Sequence, residues 1–211
     1  MKKLFLSAWC LLPVGATAFH FGPGQDELRL DQAAALIEEA ESRVALAKEV
    51  AASEGDTAAT IEWKRAEAAY GEALGLLPDD ATQLQYSVRL ERAKCQMFVS
   101  ELPEANTELQ HLVGELASDD SSDPALLADA RSAMASSQYY MTWLMRLEGR
   151  GREIWEPRIE SARQTYKLLA EEARERGDDE AARQASEDLE SAIRLARMDL
   201  TELQGLPLPS Q

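Results

Sequence analysis

The sequence predicts an all-α protein of antiparallel helix hairpins, and three observations carry that prediction. Alanine and larger apolar residues recur at steps of three and four through most of the chain, the period of a helix face. No stretch alternates apolar and polar residues as a strand would. Glycine, proline and aspartate punctuate the periodic segments at intervals that leave connections of a few residues, and such short connections join antiparallel neighbours.

In order, residues 1–18 have the form of a secretory signal: Lys2 and Lys3, an apolar run from Leu4 to Val14, and Ala16-Thr17-Ala18 as a cleavage site. The run is too short to span a bilayer, so cleavage is expected rather than anchoring. Residues 19–30, with Gly22-Pro23-Gly24, show no sustained period and read as a flexible leader. A helical domain is expected over 31–204. Asp31 is placed to cap a first helix with Leu36, Ala40, Val44, Ala47 and Ala51 on one face. Gly55 ends it. The second helix carries Trp63, Ala66, Tyr70, Ala73 and Leu77 at unbroken helical spacing, and Pro78 closes it. A third, from near Asp80, has two apolar stripes: Leu84, Val88, Cys95 and Val99 on one side, Tyr86, Leu90, Ala93 and Met97 on the other. Two stripes imply neighbours on two sides.

Pro103 suits the first turn of a fourth helix, with Ala105, Leu109, Leu112 and Leu116 inward. Asp123-Pro124 starts a long fifth, which Gly149 and Gly151 end. Pro157 is read as the start of a sixth, with Ile159, Ala162, Tyr166, Leu169 and Ala173 inward, stopped by Gly177. Asp178 caps a seventh whose stripe, Ala182, Ala185, Leu189, Ala192, Ala196, Leu200 and Leu203, runs to the end. Residues 205–211 read as a disordered tail.

The chain has 211 residues and a formal charge of −16, from 38 acidic and 22 basic residues. Loss of Lys2 and Lys3 with the signal makes it more acidic still. An excess of that size repels nucleic acid and anionic membranes, so neither is an expected partner. Cleavage would also remove Cys10, leaving Cys95 alone, so an exported protein would rely on packing and not on an internal disulfide. Cys95 falls within a helical pattern and reads as a small buried apolar residue.

Arg65-Ala66-Glu67-Ala68-Ala69-Tyr70-Gly71-Glu72-Ala73-Leu74-Gly75-Leu76-Leu77-Pro78-Asp79-Asp80 resembles the second helix of a tetratricopeptide repeat, with that family's Ala, Tyr, Ala and closing Pro at matching intervals. Ala105, Leu109 and Leu112, and again Ala162, Tyr166 and Leu169, repeat the same small–large–medium form. Ala93 preceding Pro103-Glu104-Ala105, and Gly177-Asp178, are similar to parts of that repeat and its turn. The resemblance is clearest over Trp63–Asp80 and partial over Ala93–Leu116 and Ala162–Asp178. It implies a short array of about three helix pairs with a capping helix, and binding of a protein or peptide. The intervals between Ala66, Ala105 and Ala162 exceed the family period of about 34 residues, and the fifth helix is longer than a standard unit. A closed helical bundle is the competing architecture.

Catalytic chemistry has few candidates. Only His20 and His111 are present, and no phosphate loop, nucleophile elbow or Cys-x-x-Cys occurs. Glu108-x-x-His111 has the spacing of a carboxylate-bridged metal site but no second copy. Asp119, Asp120 and Asp123 could gather calcium, yet the loop lacks the glycine and distant glutamate of a calcium hand. The expectation is a binding protein with no cofactor and no metal. A periplasmic bundle that binds a small molecule or metal ion is the alternative.

The stretch Tyr139–Lys167 stands out. Between Arg131 and Lys167 basic residues outnumber acidic ones, against the trend of the chain. Tyr139, Trp143, Arg146 and Arg150 fall on one helix face; Tyr140, Leu144 and Leu147 fall beside it. A helix apolar nearly all round is normally a central core helix. The functional reading is that Tyr139 and Trp143 line a groove rimmed by Arg146, Arg150, Arg152 and Arg158, which suits an acidic peptide or carboxylate. In a mixed reading Tyr140, Leu144 and Trp155 are core and the arginines are exposed or ion-paired. A protein or peptide partner in the periplasm or outside the cell is the function that these features predict, with no membrane-spanning segment after cleavage.

Overall fold

The computed structural model describes residues 23–204, so the predicted signal at 1–18 and the tail at 205–211 lie outside the described residues. The chain there is all-helical. Helices α1 (Pro23–Glu54), α2 (Asp56–Leu76), α3 (Thr82–Met97), α4 (Leu102–Ser118), α5 (Pro124–Leu147), α6 (Arg152–Arg176), α7 (Asp179–Arg197) and the short α8 (Leu200–Gln204) follow one another through tight connections. Each helix from α1 to α7 packs chiefly on its neighbours in sequence, with two additions: α3 also meets α5, and α8 folds back onto α5.

Alanine makes this close stacking possible. Ala33, Ala40 and Ala47 recur every seventh residue of α1, and Ala59, Ala66 and Ala73 do the same in α2; all six are wholly buried in one apolar cluster. Seven residues is close to two helical turns, so each set forms a straight seam. The single residue Gly55 joins the two helices, which pack along each other. The α1 alanines share that cluster with Trp63 and Tyr70 of α2 and with Leu77 just beyond it. Small residues on α1 thus leave room for large ones on α2, which is how a seam fills without voids. Gly55 has φ +92, a backbone angle that favours glycine.

The same device recurs along the chain. A second cluster holds Ala93, Ala105 and Ala130 at zero exposure with Leu109, Leu112 and Leu116, and joins α3, α4 and α5. A third gathers Ala135, Ala162 and Ala192 with Trp143, Trp155, Ile159 and Tyr166, and joins α5 to α8. Polar ties cross between helices beside these clusters. Asn106 Nδ2 donates to Ser137 Oγ at 2.7 Å between α4 and α5, and Ser137 in turn donates to the Met134 carbonyl. Arg89 Nε meets Glu108 at 2.6 Å between α3 and α4.

Helix ends follow their residues. Asp123 caps α5 by accepting from the Ala125 amide at 2.9 Å, and Asp178 caps α7 from Ala181 at 3.0 Å. Gly149 and Gly177, both at positive φ, close α5 and α6 with paired carbonyl contacts from the residues just beyond. Ser100 takes the same left-handed position after α3, where a glycine would be favoured.

The structure departs from the sequence reading at several ends. Helix α1 begins at Pro23, so 23–30 are helical rather than a flexible leader, and Asp31 lies inside the helix instead of capping it. Asp26 to Gln32 are all exposed, because α2, at 21 residues against the 32 of α1, stops short of them. Helix α3 begins at Thr82, two residues past Asp80, and its N-cap Ala81 makes no side-chain bond. Helix α6 begins at Arg152 with Pro157 inside it, since the added turn carries Trp155 into the core. Leu84 and Leu144, expected inward, are exposed. The last stripe breaks at Met198, giving eight helices among the described residues where seven were expected.

Overfilling a seam that depends on alanine is costly. Ala66→Leu lowers unfolding stability by about 1–3 kcal/mol, the usual range for overpacking. Ala68→Leu, at an exposed position on the same helix, leaves it nearly unchanged. Urea denaturation of the two variants measures the difference, and equal effects would contradict this packing.

Candidate functional site

The six residues expected to form a partner-binding face do not come together on one surface. Tyr139 and Trp143 lie side by side, ring centres 6.3 Å apart; Tyr139 is half-buried and Trp143 only 5% exposed. Helix α5 stops at Leu147 and the chain turns through Gly149, so Arg150 leaves the helix face and pairs with Glu148 at 3.0 Å. Arg152 pairs with Glu156, and Arg158 donates to the Ile154 carbonyl at 3.0 Å. These three occupy the α5–α6 turn and the start of α6.

Arg146 has turned inward. The break at Met198 leaves carbonyls at the end of α7 without helical partners, and Arg146 donates one guanidinium nitrogen to the Leu195 carbonyl and the other to that of Met198. Its charge also lies over the Trp155 ring, 4.8 Å from the centre. Burial pushes its pKa down, with Asp199 acting in the opposite sense. Asp199 and Glu202 meanwhile start α8 with a reciprocal pair: each side chain accepts from the other's amide, at 2.8 and 3.0 Å. Arg146 therefore ties α5, α6, α7 and α8 together at one point.

A different set of residues forms a recess. Val44 and Lys48 of α1, Trp63 of α2, Glu91, Lys94, Cys95 and Met97 of α3, Phe98 just beyond it, and Asp129, Ser132, Ser136 and Tyr140 of α5 line a cavity of about 320 Å³. Its apolar floor is fixed by Trp63 and Phe98, stacked with ring centres 4.1 Å apart and nearly parallel. Met97, Phe98 and Tyr140 also line a second depression of about 360 Å³, with Asp56, Thr57, Thr60, Ser100, Leu102, Trp143 and Leu144. The two depressions adjoin across Met97, Phe98 and Tyr140 and are taken together as a groove that runs from α1 over α3 to α5. Leu144 stands 46% exposed at its far end.

The groove's charges are already arranged. Lys94 Nζ bonds Glu91 and Asp129, each at 2.8 Å, and so links α3 to α5. Burial alone would lower the Lys94 pKa, but those two carboxylates overcome it and hold it above the ordinary value. Cys95 is 1% exposed, and burial, with Glu91 and Glu67 nearby, pushes its thiol up to about 12. It is a packing residue, as its place in the helical pattern predicts.

The two metal candidates of the sequence have other attachments. Glu108 accepts from Arg89, and Asp119 accepts from the amide and hydroxyl of Ser121 at 2.9 and 2.7 Å, closing the loop before α5. Among the described residues no group of three or more metal-ligating side chains converges, and no helix is long and apolar enough to cross a membrane. Comparison with protein families, with curated proteins and with solved structures finds no match to this chain.

Of the groove's residues the sequence reading gave a binding role only to Trp143; it placed Tyr140 in the core and did not single out Phe98, Lys48 or Asp129. The one signal for the groove was the pair of apolar stripes on α3, which required neighbours on two sides.

Two outcomes test the site's construction. Arg146→Ala, by orphaning the α7 carbonyls, lowers stability by about 1.5–3 kcal/mol, the range for hydrogen bonds to a charged group. Arg146→Lys recovers only part of that, since one ammonium cannot reproduce the fork. Calorimetry of both variants gives the ordering, and full recovery by lysine would contradict it. Cys95 should resist a maleimide at neutral pH in the folded protein and react once urea unfolds it; rapid labelling of the native state would show the thiol to be open.

Proposed function

We propose that this chain is an exported, tetratricopeptide-like helical protein that binds a protein or peptide partner, serving as an adaptor or assembly factor in the cell envelope. The observation that supports it most is the groove across α1, α3 and α5, with stacked aromatics on its floor and an exposed leucine at its end. Aromatic and apolar side chains gathered in a recess are the usual anchors of a protein interface. Export rests on the signal-like residues 1–18. The family likeness rests on the alanine pattern and on helices that pack neighbour to neighbour. Arg150, Arg152 and Arg158 become a second line of contact in this reading. Arg146, Tyr139 and Trp143 shape the support beneath it.

A small-molecule reading draws on the size of the first cavity, which falls in the range of ligand pockets. Its continuation into a second depression favours a longer occupant.

Photo-cross-linking separates these readings. A cross-linking residue at Ser132 or Leu144 should couple to a discrete envelope protein in the native host. The same group at Gln184, exposed on α7, should not. Cross-links concentrated at Arg152, or of equal yield at all positions, would remove the groove from the account.

A further inference from the structure

We infer that the groove takes a basic, apolar-anchored peptide segment of its partner: large apolar side chains on the Met97–Phe98–Leu144 surface, with lysine or arginine beside them. This rests on the reading of the groove as a docking site, and it reverses the sign of partner that the arginine-rich stretch suggests.

Three observations support a cationic partner. First, acidic residues exceed basic ones 38 to 22 over the whole chain, so the long-range field draws cations and repels anions. Second, apart from Lys48 on the α1 wall, which makes no ion pair among the described residues, the cations in and around the groove are already engaged. Lys94 is held between Glu91 and Asp129, Arg131 by Glu172 at 3.2 Å, and Arg150 and Arg152 by Glu148 and Glu156. Arg146 faces two carbonyls inside the fold. An acidic peptide would find Lys48 alone to pair with unless it displaced these carboxylates. Third, the second depression has no cation in its lining, while Asp56 and the threonines Thr57 and Thr60 stand beside Met97, Phe98 and Leu144. A carboxylate and hydroxyls next to an apolar wall match a residue pair in which one side chain is apolar and its neighbour carries an ammonium or guanidinium group.

The test uses the chain from residue 19 onward and fluorescein-labelled synthetic peptides sharing one leucine pattern, with lysine in one and glutamate in the other at every polar position. By fluorescence anisotropy at low salt, the lysine peptide should bind about tenfold tighter than the glutamate peptide or better, and weaken as salt is added. Leu144→Gln and Asp56→Asn, both at exposed positions, should each weaken it severalfold with helicity unchanged by circular dichroism. A third peptide with lysines kept and leucines replaced by serine should bind much less. Tighter binding of the glutamate peptide, sensitive to Leu144→Gln, would overturn the charge assignment and leave the groove reading standing. Lysine-peptide binding indifferent to Leu144→Gln, or undiminished by loss of the leucines, would show attraction to the acidic surface at large and overturn the inference. No binding of any peptide would overturn both readings.

Discussion

Close approach of helices through alanine is the constraint on which this structure depends. A helix with alanine on its inner face brings little apolar area of its own to the core. Its value is steric: the neighbour can come near enough for a tryptophan, tyrosine or leucine opposite to be enclosed. Between α1 and α2, Ala33, Ala40 and Ala47 share one buried cluster with Trp63, Tyr70 and Leu77. Further along, Ala105, Ala130 and Ala162 repeat the arrangement with different large partners. Because each cluster is shared by three or four helices consecutive in the chain, stability accrues in steps along it, as in a stacked assembly of helix pairs.

That economy has a consequence for surface chemistry. Side chains of α1, α3 and α5 line a recess on one side of the stack, and that recess is the groove. Lys94 spans part of it, from α3 to α5, by salt bridges whose half-exposed setting gives them modest strength. Trp63 and Phe98 stack across α2 and the end of α3 and keep the floor flat. At the other end of the chain, Arg146 does what alanine cannot: it satisfies the carbonyls at the broken end of α7, beside an open depression lined by α7 and α8.

Much of the fold was legible in the sequence because helix periodicity is local. The inner faces of α2, α4 and α6 agree with expectation residue by residue, as do the caps at Asp123 and Asp178. Where the reading failed, a local rule met a non-local demand. Pro157 looks like a first-turn proline, but burying Trp155 extends α6 upstream of it. The final stripe looks continuous, but Arg146, about fifty residues away in sequence, supplies partners for a break at Met198. The groove was the least legible feature. Val44, Phe98 and Tyr140 share no motif and meet only through the order in which the helices stack, whereas the conspicuous aromatic and arginine stretch marks the place where four helices are fastened together.

The claim that the groove, and not the arginine-bearing turn, meets the partner is tested most directly by hydrogen–deuterium exchange of the protein alone and in complex with the partner recovered by cross-linking. Amide protection on binding is predicted at the end of α3 around 94–100 and along α5 at 129–144, with the turn at 149–152 little changed. Protection confined to that turn and the start of α6, with α3 unaffected, would contradict the account.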